Sequence, residues 1–325
     1  MINSFFVKKK EMYLENWRLE NWRAEISVGL SLVLIFLLLS IISPYFFTKG
    51  NLLNIIYQVS TLGIIAVGQT MVIITAGIDL SVGSVFALSG MLMGMAMVKF
   101  GFYIGILVGL FIGFSVGLIN GLLISYLRLA PFIVTLGMMS IAHSLTYVIS
   151  NAKSVLGLPP MLERFGNTVF IGIPLYVFVT FILFSLGQLF LSYTKTGRLL
   201  YAVGSNESTA RYSGVNVNLY KCLPYIFTGL LVAFSAFIQA SHLLAIDPDA
   251  GTGLELDSIA AVVIGGTSLF GGKGSMVGTF IGICMMGILR NGLNLLGVSP
   301  YWQGTAVGAI IILAIAVERL SYKNK

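Results

Sequence analysis

The chain has 325 residues, of which 57% are hydrophobic and 10% charged, with a formal net charge of +7. Soluble domains carry about 25% charged residues, so this composition excludes an ordinary soluble enzyme and places the chain in a membrane. The surplus of Lys and Arg flanks apolar runs, which accounts for it without nucleic acid as a partner.

Residues 1–25 are polar and charged, with Trp17 and Trp22 among Lys and Arg neighbours. This composition fits an amphipathic cytoplasmic segment at the membrane surface and equally a solvated tail, and it lacks the apolar core of a secretory signal. Apolar runs follow, each near the roughly 20 residues that a helix needs to cross hydrocarbon. They predict spans at 26–43, 52–76, 81–98, 102–127, 131–150, 173–192, 222–245, 257–271, 275–295 and 301–318. The expected fold is all-α: a polytopic membrane protein of about ten transmembrane helices, some short or re-entrant. The run at 257–271 is the weakest crossing, being short and rich in glycine. With the N-terminus inside, 14 of the 19 Lys and Arg fall on cytoplasmic segments and 5 outside, so both termini are expected in the cytoplasm. Residues 26–318 then form one transmembrane domain and 319–325 a cytoplasmic tail.

Several stretches stand out along the chain. Gly68–Gly90, GQTMVIITAGIDLSVGSVFALSG, places one carboxylate, Asp79, in a glycine-flanked break between two apolar helices. Intramembrane carboxylates are costly, so Asp79 has two readings: cap of the helix starting near Ser81, or site for a proton, ion or polar solute. The fourth span carries Gly101, Gly105, Gly109, Gly113, Gly117 and Gly121. Each four-residue step advances a helix by about 400°, so this stripe winds about 200° over its length and predicts close contact with more than one helix. Residues 151–172 form an external loop, with Pro159 and Pro160. Residues 193–221 form a long polar cytoplasmic stretch, in which Ser205 or Asn206 caps a short helix stopped by Gly214.

In 247–275, acids cluster outside (Asp247, Asp249, Glu255, Asp257), with Asp257 a possible cap for a helix at Ser258, and a Gly-rich turn surrounds Lys273. Setting Ser84 on Ser275 aligns Val72 with Val263, Ile73 with Ile264 and Gly83 with Gly274, a hint of internal duplication. The Gly-rich turn is not a phosphate loop: Thr267 stands where the first glycine is needed, and Gly274 follows Lys273 in place of Ser or Thr. A dinucleotide fingerprint fails at Val277. Cys222 and Cys284 lack metal-site spacing and read as packing residues. His143, in an apolar span, reads as a hydrogen-bonded packing residue in preference to a proton relay. Gln69, Asn120, Arg290, Asn291 and Gln303 are polar groups in or near spans, each either helix-to-helix glue or pathway lining. Gln69, Asp79, Asn120, Asn291 and Gln303 are the candidate substrate-pathway residues. No catalytic triad, metal cluster or paired carboxylate points to an enzyme.

Three motifs, Gly68–Gly90, TGRLLYAVGSNESTARYSGVNV (196–217) and IAAVVIGGTSLFGGKGSMVGTFIG (259–282), resemble the signature regions of the ribose-type permease family. These are membrane subunits of bacterial ABC importers for ribose, xylose, related sugars and autoinducer-2. The resemblance runs from about residue 26 to 318. It implies a permease in the bacterial cytoplasmic membrane, paired with a second copy or a paralogue. It also implies a separate ATPase that binds ATP and Mg²⁺, an external solute-binding protein, and no cofactor on this chain. Thr196, Gly197, Arg198, Gly204, Asn206, Ala210 and Gly214 match the family's cytoplasmic coupling loop, and Glu207 and Arg211 lie on the same short helix. Thr209 departs from the small residue the family often has there, which leaves the docking contacts open. The rival reading from Asp79 is an ion-coupled secondary transporter.

Overall fold

A computed structural model describes residues 25–299, 302–309 and 311–313. The N-terminal segment through Trp22, the tail 319–325 and the end of the last predicted span lie outside the described residues. The helices are α1 Glu25–Ile42, α2 Lys49–Ile74, α3 Val82–Phe100, α4 Phe102–Ser125, α5 Pro131–Ser150, α6 Pro160–Asn167 and α7 Leu175–Tyr193. They continue with α8 Lys195–Ser205, α9 Glu207–Tyr212, α10 Val217–Leu243, α11 Leu254–Ile264, α12 Met276–Leu295 and α13 Trp302–Leu313. Among the described residues, eight helices are long and apolar enough to cross a membrane: α1 to α5, α7, α10 and α12. The chain is a polytopic helical membrane protein.

The predicted span at 257–271 resolves into α11, only 11 residues long. At about 1.5 Å per residue it covers about half of the hydrocarbon thickness. Its end is set by composition, because Gly265, Gly266, Gly271, Gly272 and Gly274 follow within ten positions. The start differs from expectation too. Gly253 (φ +86°) is the N-cap, so Asp257 lies inside the first turn and does not cap it. The helix predicted at 222 begins five residues earlier at Val217, with the Asn216 side chain accepting from Leu219 N (3.3 Å), and Pro224 therefore falls inside α10.

α2 is the central pillar. Every residue from 60 to 75 is buried, Ser60, Thr61, Gln69, Thr70 and Thr75 among them, which keeps these polar groups out of lipid. α10 packs along α4 and α2. The glycine stripe of α4 behaves as its winding predicts. A β-carbon at Gly105 or Gly109 would meet Met97 or Met93 of α3, whereas at Gly113, Gly117 or Gly121 it would meet Gly229, Tyr225 or Cys222 of α10. At Gly113 the distance to the Gly229 carbonyl oxygen would be 2.2 Å. Gly101 is the exception; it caps α3 at φ +94° and touches nothing.

Two breaks face each other at one end of the bundle. α2 stops at Ile74 and α3 resumes at Val82; α11 stops at Ile264 and α12 resumes at Met276. With the 191-residue offset of the internal alignment, the helix ends correspond within one residue at 74/265 and three at 82/273. The breaks are joined directly, Gly272 N donating to the Ile74 carbonyl (2.9 Å). Gly204 of α8 lies against both, since a β-carbon there would stand 1.8 Å from the Ile74 carbonyl oxygen and 2.8 Å from Gly272 N. α1 begins at this same end, where Glu25 accepts from Ser275 Oγ. At the opposite end the 151–172 loop forms α6 and a two-residue hairpin, Val169–Phe170 with Ile173–Pro174. α6 seats fully buried Leu162 in the core and Gly166 against the Ser241 carbonyl of α10, and Val155 pairs with Ile246.

Candidate functional site

Three of the five pathway candidates converge at the first break. Asp79, 3% exposed, accepts through Oδ1 from Ser81 N (2.9 Å) and Ser81 Oγ (2.6 Å). Asn120 Nδ2 of α4 donates to Ser81 Oγ (3.0 Å), and Gln69 Nε2 of α2 donates to the Asp79 carbonyl (3.1 Å). Ser81 is the N-cap of α3, so the carboxylate ties down the residue that starts the helix from two positions before it, in the i to i+2 pattern of an Asx turn. The hollow lined by Asp79, Ser81, Asn120 and Thr228 is about 10 Å³, room for no more than about one water. The other two candidates lie apart. Asn291 of α12 exchanges two amide bonds with Asn51 of α2 (2.9 and 2.7 Å). Gln303 donates to Asn294 Oδ1 (2.7 Å) and the Val298 carbonyl (3.3 Å), tying α13 to the end of α12. Both pairs join helices by satisfying polar groups locally.

Solute-sized space lies elsewhere. The segment 245–253 re-enters the bundle from the end opposite α8 and leads into α11, and cavities surround it. One of about 390 Å³ is bounded by the first turns of α3, by α5 and by residues 248–255. A second, about 220 Å³, is lined by Tyr57, Gln58, Gln239, Asp257 and Arg290 among others, and shares Thr252 with the first. Arg290, counted as external in the sequence, turns inward and forms an ion pair with buried Asp257 (2.7 Å). His143 does not pack in the core: it is exposed on α5, lines the larger cavity and leans on Tyr147 with ring centroids 4.9 Å apart. His143 and Glu255 are the residues that sequence reasoning missed as a site. The signal available was the spacing Ser140, His143, Ser144, Tyr147, which puts four polar side chains on one side of a mostly apolar span.

The 193–221 stretch contains two helices, not one. Thr194 caps α8 by accepting from Gly197 N (2.9 Å), and Asn206 caps α9 by accepting from Thr209 N (2.9 Å). The candidate coupling residues divide by direction. Gly197 lies against the last turn of α7, Gly204 against the two breaks, and Ala210 in a small core with Val203 and Val217; these shape the segment from within. Arg198, Asn206, Arg211 and Gly214 are exposed, and Thr196 and Glu207 half-buried. Tyr212 projects from the tip of α9 and is 91% exposed.

A family described as branched-chain amino acid transport system / permease component matches residues 51–315. The chain belongs to this permease family. The permease is 41% identical over 302 residues to the ribose import permease protein RbsC of Escherichia coli (strain K12), covering 91% of this chain and 94% of that protein. The RbsC protein of Bacillus subtilis (strain 168) is 43% identical over 293 residues, covering 89% and 91%. The D-allose transport system permease protein AlsC of Escherichia coli (strain K12) is 37% identical over 285 residues, covering 87% of each. No solved structure matches the chain. As a permease component it is a transport subunit and not an enzyme, and it is a multi-pass protein of the bacterial cytoplasmic membrane.

One electrostatic feature of the permease holds α9 in place. Glu207 receives both Lys221, from the start of α10, and Arg211 (3.0 Å) one turn along α9. The hydrogen bond and charge of Lys221, with Arg211, hold its carboxyl below the ordinary value of 4.5. A depressed carboxylate contributes stability above its unfolded pKa and loses it as pH falls through the lower folded value. The protection factors of α9 amides, with the intrinsic pH dependence of exchange divided out, are therefore expected to be level near neutrality and to fall below about pH 4.5, the unfolded reference. In Glu207→Gln this acid step should vanish; its persistence would reassign the effect.

Proposed function

We propose that this permease is the membrane-spanning subunit of an ABC importer for a monosaccharide or closely related polyol. In this reading, ATP and Mg²⁺ are bound and ATP is hydrolysed on partner ATPase chains, and an external solute-binding protein delivers the sugar. Residues 26–318 form the transmembrane body, with both termini and the 193–221 stretch in the cytoplasm and a second permease copy completing the core. The observation that carries the reading is about two-fifths identity to ribose permeases over nine-tenths of the chain. The hydroxyls of Ser84, Ser140, Ser144 and Thr252, with His143 and Glu255, give the larger cavity hydrogen-bonding groups that suit a polyol.

The α9 segment, from Ser205 to Gly214, docks into the ATPase, and the ATPase and the loaded binding protein bias one equilibrium between two arrangements of the bundle. Each partner shifts it only by its differential affinity for the two arrangements. Gln69, Asp79 and Asn120 hold the break between α2 and α3 in shape as that equilibrium shifts. The test is uptake of labelled ribose and allose into liposomes holding the permease with its ATPase and binding protein. Uptake should require ATP inside and be indifferent to Na⁺ and H⁺ gradients, in Asp79→Asn as in the parent. Gradient-driven uptake by the permease alone, abolished in Asp79→Asn, would replace this reading with an ion-coupled one.

A further inference from the structure

The larger cavity has features that packing does not explain. Its wall carries four hydroxyls, from Ser84, Ser140, Ser144 and Thr252, together with His143 and Glu255, set beside apolar surface from Met139, Ala87 and Pro248. Ser140, His143 and Ser144 sit on one exposed face of α5, a helix of apolar composition. Ser140 Oγ also donates to the Leu136 carbonyl (3.2 Å), and His143 and Ser144 stand beside it on the cavity wall. The volume, about 390 Å³, lies in the range of pockets that take small ligands, about 300–1,000 Å³.

Glu255 has a prepared place. It stands in the first turn of α11, and its Oε2 rests against Gly83 in the first turn of α3, where a β-carbon would come within 2.2 Å of it. Both turns are helix N-termini, whose partial positive charge favours a carboxylate. Gly251 and Gly83 let the two chains touch, a β-carbon at 251 standing 1.8 Å from the Gly83 carbonyl oxygen. Among the described residues Glu255 is in no ion pair, unlike its neighbour Asp257. The result is a hydrogen-bond acceptor held at the meeting point of two interrupted helices, an arrangement suited to a transported solute.

We infer that this cavity is a transit site for the sugar, in which the Glu255 carboxylate accepts hydrogen bonds from ring hydroxyls and His143 faces it from α5. Ser140 and Ser144 complete the polar wall. The inference rests on the sugar reading given above.

Ligand-observed saturation-transfer NMR tests this on the full-length permease in lipid nanodiscs, with millimolar ribose, allose and leucine as probes. Ribose and allose should receive saturation and leucine should not. The double variant Ser140→Trp with Ser144→Trp, at exposed positions outside the core, should lower the sugar signal about tenfold, and Glu255→Gln, which keeps the shape, several-fold. Absence of a sugar signal, an equal signal from leucine, or sugar signals undiminished in both variants overturns the site. Uptake by the assembled importer separates the two ideas. Uptake that both variants leave intact overturns the site and spares the importer reading. A cavity-dependent NMR signal without ATP-driven uptake supports the site and sinks that reading.

Discussion

Leucine at Gly229 is expected to abolish recovery of folded permease, whereas leucine at Gly137 leaves it unchanged. A β-carbon at 229 would stand 2.1 Å from the Gly113 carbonyl oxygen and 3.2 Å from the Gly117 Cα, so the obstruction is backbone on a facing helix and cannot swing aside. Overpacking of a tight interior costs about 1–3 kcal/mol even where side chains can yield. Here α4 and α10 must separate along their whole seam, and a domain's net stability is only about 5–15 kcal/mol. Gly137, on α5, has nothing within 4 Å. The monodisperse fraction after solubilisation and the unfolding midpoint of the two variants measure the effect. Equal behaviour would show that the seam is looser than described.

Tyr212→Ala is expected to reduce ATP-dependent uptake at least about tenfold, since exposed aromatic anchors carry much of the energy of interfaces. The unfolding temperature should stay the same, because Tyr212 is 91% exposed and lies outside the small core of Val203, Ala210 and Val217. Uptake and ATPase rate measured together decide it. The variant should uncouple the two, and full uptake in Tyr212→Ala would remove α9 from the docking surface.

These two cases also mark what was legible in the sequence. The α4 seam was, because a four-residue glycine interval has a fixed angular drift, and α3 and α10 are met in that order. The capped α9 was legible from Asn206 and Gly214, as local chemistry usually is. α8 was not: its Lys, Thr and Arg hide an apolar face of Leu200 and Val203 that only neighbouring helices make sense of. The break at Asp79 could be seen as a break, but its partners Gln69 and Asn120 lie 10 and 41 positions away, and nothing in the chain order pairs them. Glu255 and Asp257 looked alike as members of one acidic cluster. Their difference, one paired with Arg290 and the other resting on the start of α3, exists only after residues 83, 255 and 290 come together.

Gly204 is where α8 meets both breaks. Because α8 touches the Ile74 carbonyl and Gly272 at one point, and those two are bonded to each other, a force delivered to α8 reaches both interrupted helix pairs at once. On the importer reading α8 works as a yoke: neither half of the bundle can be tugged without the other, and the stroke arrives in step on both.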